Sequence, residues 1–278
     1  MRTNTFANLK QKAMDLSKVK MVVSDMDGTL LNSNHEVSNR FFELFEVLKK
    51  RNILFAAASG RQYNSIVDKL DKIKNDILVI AENGGYVVHR EEELLSTPLP
   101  KDQRTQVLQT LEKVPYTYPV LCGKRGAYLN NQSEAFVDLL RQYYSEFTIV
   151  DDLNKVEADI LKVAVYHFES SEKFIYPQVR QLESDLKVKV SGANWVDISS
   201  PNANKGFALE KMQQRYGISP EETMVFGDYN NDLEMLGKAE YSFAMENAHP
   251  NVFEVANYKT TSNDDFGVER VLEKLVGY

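Results

Sequence analysis

The chain has 278 residues, 43% hydrophobic and 26% charged, which gives a globular balance and a length that suits two modest domains. Its 33 basic and 40 acidic residues leave a net charge of −7, which argues against general affinity for nucleic acid or anionic membrane surfaces. A single cysteine, Cys122, excludes an intrachain disulfide. No run approaches the roughly 20 apolar residues needed to cross a bilayer, and residues 1–18 lack the apolar centre of a signal peptide, so the expectation is a cytoplasmic protein.

Residues 20–24 form a short apolar run that ends in Asp25, Asp27 and Gly28, as a buried strand entering a functional loop would. Phe41, Leu44, Phe45 and Leu48 then recur at helical spacing, with Ser38 or Asn39 available as a cap. A second strand at 53–58 stops at Ser59-Gly60-Arg61. A second helix carries Tyr63, Ile66, Val67, Leu70 and Ile73, and a third strand at 77–80 ends near Asn83-Gly84-Gly85. Alternating strands and helices with short joints predict parallel strands and right-handed crossovers, the start of a doubly wound α/β sheet.

After Gly85 the rhythm changes. Short strand-like pieces at 86–89, 118–122, 126–129, 160–167 and 188–191 alternate with helical stretches at 101–113, 133–145 and 171–186. From about Pro201 the α/β pattern returns: a helix over 205–216 closed by Gly217, a buried strand at 223–226 running into Gly227-Asp228, a strand at 241–245 and a terminal helix near 268–275. The reading is a discontinuous core, 1–86 with 199–278, interrupted by an α+β domain over 87–198.

Four polar clusters fall at predicted strand ends or helix starts, the edge where open parallel sheets bind ligands. Asp25 and Asp27 follow a buried strand, and two carboxylates there are costly without a cation or hydrogen bonds to compensate. Beside a divalent metal one carboxylate can attack phosphorus, and the other can protonate a leaving oxygen and then activate water. An Asx turn at Asp27-Gly28 is the plain alternative. Ser59-Gly60-Arg61 offers a hydroxyl and backbone N–H groups as a phosphate seat, although Ser-Gly after a strand is commonly just a helix cap. Lys205-Gly206 opens a helix, where a lysine can neutralise a phosphoryl group, or simply face solvent. In Gly227-Asp228-Tyr229-Asn230-Asn231-Asp232, oxygen donors crowd one turn, which suits a hard cation or only a polar turn.

Together, Asp25-x-Asp27-Gly-Thr-Leu, Ser59-Gly-Arg, Lys205-Gly and Gly227-Asp228-x-x-Asn231-Asp232 resemble the haloacid dehalogenase superfamily of phosphohydrolases. Glu82-Asn83-Gly84-Gly85 and Ala244-Met245-Glu246-Asn247-Ala248 resemble its Cof-type sugar-phosphatase branch. The resemblance implies a Rossmann-like core and hydrolysis of a small phosphorylated metabolite with Mg²⁺. Position by position it implies Asp25 as nucleophile and metal ligand, and Asp27 as general acid/base with its backbone carbonyl on the metal. Ser59, Lys205 and Asn231 would hold the phosphoryl group, with backbone N–H groups of Met26 and Gly60. Asp228 would be a metal ligand and Asp232 an outer one. The second aspartate favours phosphoryl chemistry over dehalogenation.

The interval from Asp25 to Ser59 is short, whereas that from Ser59 to Lys205 takes up about half of the chain, so the inserted domain falls in the second interval, as in the C2B-capped members. Such a cap would exclude water and select the leaving group. Asn194-Trp195 and the Tyr116–Tyr118 region are candidate contacts there, with core or hinge packing the alternative for Trp195. A phosphomutase of the same superfamily and a non-catalytic phosphometabolite sensor remain as other functions. A monomer or small homo-oligomer is expected.

Overall fold

The structure is a computed structural model and describes residues 15–124, 126–130, 133–141, 144 and 146–278. In chain order the strands are β1 (Met21–Asp25), β2 (Leu54–Ala58), β3 (Leu78–Ala81), β4 (Tyr86–His89), β5 (Glu92–Ser96), β6 (Tyr118–Gly123), β7 (Gly126–Leu129), β8 (Phe147–Ile149), β9 (Ile160–Tyr166), β10 (Lys187–Val190), β11 (Trp195–Ser199), β12 (Thr223–Gly227), β13 (Tyr241–Ala244) and β14 (Tyr258–Lys259). The helices are α1 (Asn39–Lys50), α2 (Tyr63–Lys69), α3 (Lys101–Leu111), α4 (Glu134–Leu140), α5 (Ser171–Phe174), α6 (Tyr176–Val179), α7 (Lys205–Tyr216), α8 (Leu233–Leu236), α9 (Pro250–Val255) and α10 (Gly267–Val276). The chain divides into two compact units, residues up to 95 with 204–278, and 96–203.

The first unit holds an eight-stranded sheet in the order β14-β13-β12-β1-β2-β3-β4-β5. Its strands from β14 through β3 run parallel and β4 turns back antiparallel to β3. β1 is buried on both faces, as a central parallel strand must be. Met21 and Val23 face a core with Leu209 and Met212 of α7 and Met235 of α8. Val22 and Met26 face a second core with Phe41, Leu44, Phe45 and Leu48 of α1 and Val268, Val271 and Leu272 of α10. Helices on both sides of a parallel sheet make the doubly wound α/β fold that the sequence implies.

Local chemistry explains the helices that bear on the site. Ser38 caps α1 by accepting from Phe41 N–H at 2.9 Å, and every buried residue of α1 lies on the predicted stripe. Phe41 also packs 5.0 Å from Phe55 of β2, ring centre to ring centre. Burying such a ring stabilises by about 2–3 kcal/mol, so the stripe fixes α1 on the sheet. Asn204 caps α7 by accepting from Phe207 N–H at 2.7 Å, which fixes where that helix begins.

The second unit carries a six-stranded sheet, β10-β11-β9-β6-β7-β8, antiparallel except for the β7–β8 pair. α3 and α6 cover one face through Val107, Leu108 and Val179, and α4 covers the other through Phe136 and Leu140.

Three expectations need correction. The core does not end at residue 86: β4 and β5 extend the first sheet, with Val87 and Val88 buried, so the division falls at 95/96 and 203/204 rather than 86/87 and 198/199. The single helix expected over 171–186 is broken into α5, α6 and a 3₁₀ segment, because Pro177 lacks the N–H that would continue α5. Trp195 begins a strand, β11, that the sequence reading missed; it packs against Tyr166 at 4.9 Å. Residues 1–14 lie outside the described ones, and a 3₁₀ turn at Leu16–Lys18 precedes β1.

Candidate active site

β1 sits between β12 and β2, and the chain winds away from it in opposite directions, through β2 and β3 on one side and β12, β13 and β14 on the other. That topological switch opens a crevice at the carboxyl ends of β1 and β12. Asp25 is the last residue of β1, and Asp228 directly follows β12. Asp25 is 5% exposed, and Asp232, at the start of α8, is fully buried.

Oxygen atoms of Asp25, Asp228 and Asp232 lie within 4.8 Å of one another. Lys205, the first residue of α7 and wholly buried, donates to Asp25 Oδ1 and to Asp232 Oδ1, the latter at 2.6 Å. Asp232 is held by its other oxygen too, because the N–H groups of Asp228 and Tyr229 donate to Oδ2 at 3.0 and 3.1 Å. Thr29 Oγ1 donates to Asp228 Oδ1 at 3.1 Å. Gly28, at φ +76°, lets the loop come in beside Asp228: a Cβ there would fall 2.4 Å from Oδ2.

One lysine cannot neutralise three carboxylates, and the ionisation follows from that. Burial, together with the Asp232 charge, pushes Asp25 well above the usual carboxylate range against the pull of Lys205. Burial and Asp232 likewise push Asp228 up to about 6. Burial opposes the charge on Lys205, yet Asp232 and Asp25 outweigh it and hold the ammonium above its ordinary value. Hard oxygen donors with excess negative charge fit a divalent cation such as Mg²⁺, which prefers few carboxylates and retained waters. Asp25 and Asp228 have the oxygens to offer, whereas both oxygens of Asp232 are already engaged, which suits an outer position.

Asp27 lies apart from this triad. Arg61 grips its carboxylate, Nε to Oδ2 at 2.7 Å and Nη2 to Oδ1 at 2.6 Å, and His35 Nδ1 is 3.4 Å from Oδ1. Burial would raise this carboxyl, but the hydrogen bond and charge of Arg61, aided by His35, hold it below the usual range. Ser59 follows β2, is 2% exposed, and its hydroxyl accepts from Arg61 N–H at 3.1 Å. Asn231 lies in the turn after β12, and its Nδ2 donates to Asn83 Oδ1 at 3.2 Å. Asn83 also faces Gly60, where a Cβ would lie 3.1 Å from the carboxamide. Met26 is buried beneath the loop, its carbonyl accepting from Leu31 N–H at 2.8 Å.

The residues of the four polar clusters thus belong to one unit, at strand ends or helix starts beside one sheet, whereas Tyr116–Tyr118 and Asn194-Trp195 lie in the other unit. The sequence reading quoted Thr29, Arg61 and Asn83 inside motifs without giving them partners; His35 was given no role. Their contacts depend on chain crossings that spacing does not reveal.

A doubly wound core with an acidic cluster braced by a buried lysine at its switch point suits metal-assisted chemistry on a phosphoryl group. The chain belongs to the haloacid dehalogenase-like hydrolase family, whose model matches residues 22–272. It is 32% identical over 261 residues to the 5-amino-6-(5-phospho-D-ribitylamino)uracil phosphatase YbjI of Escherichia coli, covering 93% of this chain and 96% of that one. The crystal structure of SMU.1108c from Streptococcus mutans superposes with a TM-score of 0.83 at 29% identity, covering 94% of this chain and 100% of that chain. The subclass IIB sugar phosphatase BT4131 superposes at 0.77 with 21% identity over 92% and 98% of the two chains, a likeness of fold alone. The protein is a phosphatase of this family. No helix among the described residues is long and apolar enough to cross a membrane.

Proposed function

We propose that the protein hydrolyses small phosphate monoesters, sugar phosphates or related metabolites, with Mg²⁺ and through an aspartyl-phosphate on Asp25. The observation that carries this reading is the position of Asp25, a buried carboxylate at a strand end, facing Lys205 and flanked by Asp228 and Asp232. In this reading Asp25 and Asp228, with the Asp27 backbone carbonyl, hold the metal, and Asp232 supports them from outside. Bound Mg²⁺ supplies positive charge that offsets the crowded carboxylates and orients the phosphoryl oxygens.

The chain's own groups then divide the work. The Ser59 hydroxyl, the Lys205 ammonium, the Asn231 carboxamide and the N–H groups of Met26 and Gly60 hold the phosphoryl oxygens. An Asp25 oxygen attacks phosphorus as the bond to the leaving oxygen breaks, and that oxygen takes its proton from the Asp27 carboxyl, which must be protonated in the substrate complex against the hold of Arg61. Asp27, now a carboxylate, takes a proton from water. The water oxygen attacks phosphorus, orthophosphate departs and Asp25 is restored. We assign to the inserted unit, 96–203, the role of cap that selects the leaving group. A single cysteine and no membrane-spanning helix among the described residues are consistent with a cytoplasmic enzyme.

The test is orthophosphate release from a panel of hexose, pentose, nucleotide and ribityl phosphates, with Mg²⁺ and with EDTA. The panel includes 5-amino-6-(5-phospho-D-ribitylamino)uracil because of the relative that acts on it. Release that EDTA stops and Asp25→Asn abolishes is the expected outcome. Isomer formation without release would point instead to a mutase, and tight binding without turnover to a sensor.

A further inference from the structure

The turn after β3 is conformationally costly and touches three of the loops that build the phosphate cradle. Glu82 and Asn83 are consecutive non-glycine residues with φ of 51° and 54°, followed by Gly84 at 93°. L-residues avoid the left-handed region, and two in a row persist only where the surroundings impose them.

The surroundings here are the cradle itself. Glu82 N–H donates to the Arg61 carbonyl at 3.0 Å and Asn83 N–H to the Ser59 carbonyl at 2.9 Å, so the turn pins both ends of the Ser59–Arg61 loop. Gly84 lies hard against the start of α7: a Cβ on it would fall 2.2 Å from the Asn204 carbonyl oxygen and 3.0 Å from the Lys205 nitrogen. The third contact is chemical. Asn83 Oδ1 accepts from Asn231 Nδ2 at 3.2 Å.

That last bond decides which way the Asn231 amide faces. A primary amide has two N–H donors on one side and a carbonyl oxygen on the other. With Asn83 presenting an oxygen, Asn231 must turn its nitrogen toward it. One N–H is then spent on Asn83, and the second is left for an anion. Without the acceptor, the Asn231 amide is free to flip, and its carbonyl oxygen would then repel a phosphoryl oxygen.

We propose that Asn83 is a positioning residue for the phosphoryl group, fixing the amide of Asn231 with its donor outward and tying that loop to Ser59. The inference rests on the phosphatase reading above for its role in turnover, while its effect on anion binding can be read without turnover.

The experiment measures kcat and KM together with orthophosphate binding by calorimetry in Mg²⁺, for wild type, Asn83→Gly, Asn231→Ala and the double variant. Asn83→Gly keeps the left-handed backbone accessible and removes only the acceptor, so its melting temperature should stay within about 3 °C of wild type. Its kcat/KM and orthophosphate affinity should fall about ten- to hundredfold. Added to Asn231→Ala it should cost little more, because both changes remove the same oriented donor. A merely structural turn would give additive losses. Asn83→Asp keeps an acceptor for Asn231 but adds a negative charge, and should lose orthophosphate binding altogether.

Wild-type turnover combined with an unchanged Asn83→Gly, or with additive losses, would overturn the inference and leave the phosphatase reading intact. Absence of wild-type turnover with weakened orthophosphate binding in Asn83→Gly would do the reverse.

Discussion

Arg61 holds Asp27 through two parallel hydrogen bonds, Nε to Oδ2 at 2.7 Å and Nη2 to Oδ1 at 2.6 Å, across an interval of 34 residues. A planar guanidinium meeting a carboxylate in this way fixes direction as well as charge. The consequence concerns the leaving group. If Asp27 delivers the proton, Arg61→Gln should misplace it and lower turnover of alkyl phosphates by about tenfold, against the 10²–10⁴-fold expected for Asp27→Asn. p-Nitrophenyl phosphate, whose leaving group needs no proton, should lose less with either change, the loss left in Asp27→Asn coming from slower hydrolysis of the intermediate. Rates across a series of leaving groups check this, and equal losses for all of them would remove Arg61 and Asp27 from the protonation step.

Lys205 is the only cation that donates to the acidic triad among the described residues, and it is wholly buried. Lys205→Met keeps the length of the side chain and leaves Asp25, Asp228 and Asp232 facing one another. Removing one partner of a buried ion pair costs about 3–5 kcal/mol, and that is the expected loss in EDTA. If the triad takes a divalent cation, millimolar Mg²⁺ should restore more stability to this variant than it adds to wild type. Denaturant melts with and without Mg²⁺ read both quantities. Turnover should be lost in either condition.

Much of this arrangement is legible in the sequence, because each cluster sits where an apolar run stops. Asp25 ends a buried strand, Ser59 and Asp228 follow theirs, and Lys205 opens a helix, so the sheet's own geometry brings them to one edge. The parts that were not legible have identifiable causes. The β4–β5 hairpin turns on Arg90 and Glu91, both left-handed at φ 52° and 66°, where Asn-Gly would normally mark the turn. With no such mark, 86–89 reads as the start of the inserted domain and 92–96 is not read as a strand. The partners of Asp27 and Asn231 were hidden for a different reason: Arg61 and Asn83 reach them only once β1, β2, β3 and β12 lie side by side. Hydrophobic periodicity specifies that packing, but not which polar side chains then meet.

His89, at the end of β4, has its Nδ1 2.7 Å from the Tyr216 hydroxyl in a hydrogen bond, and its buried Nε2 has no partner among the described residues. Burial, aided by the Arg90 charge, lowers its pKa from the model-peptide 6.5. A lowered value means the unfolded chain binds the proton more tightly. The neutral imidazole therefore contributes stability that is present above pH 6.5 and lost as pH falls below it. His89→Gln, which stays uncharged, should flatten the loss of melting temperature between pH 7 and 5 relative to wild type. Parallel slopes for the two proteins would show that His89 contributes nothing to acid sensitivity.

The same reasoning with the opposite sign applies to Asp25. Its pKa is raised, by burial first and by Asp232 next, with Lys205 too weak a counterweight. A carboxyl raised on folding contributes stability at low pH that disappears as pH rises through its folded value. At pH 7.5 without metal, an ionised Asp25 therefore works against the fold. Asp25→Asn keeps shape and removes the charge, so the variant should melt higher than wild type in EDTA. That advantage should shrink as the pH is lowered toward 4, where the wild-type carboxyl is neutral as well. Mg²⁺ should then close or reverse the gap, since wild type gains a ligated cation and the variant has lost one ligand. Melting curves at two pH values, with Mg²⁺ and with EDTA, contain the whole comparison. A variant less stable than wild type in EDTA at pH 7.5 would mean that the Lys205 pair outweighs the crowding. A higher melting point together with lost turnover would instead show a nucleophile kept at the expense of stability, the trade expected where function requires a charge the fold resists.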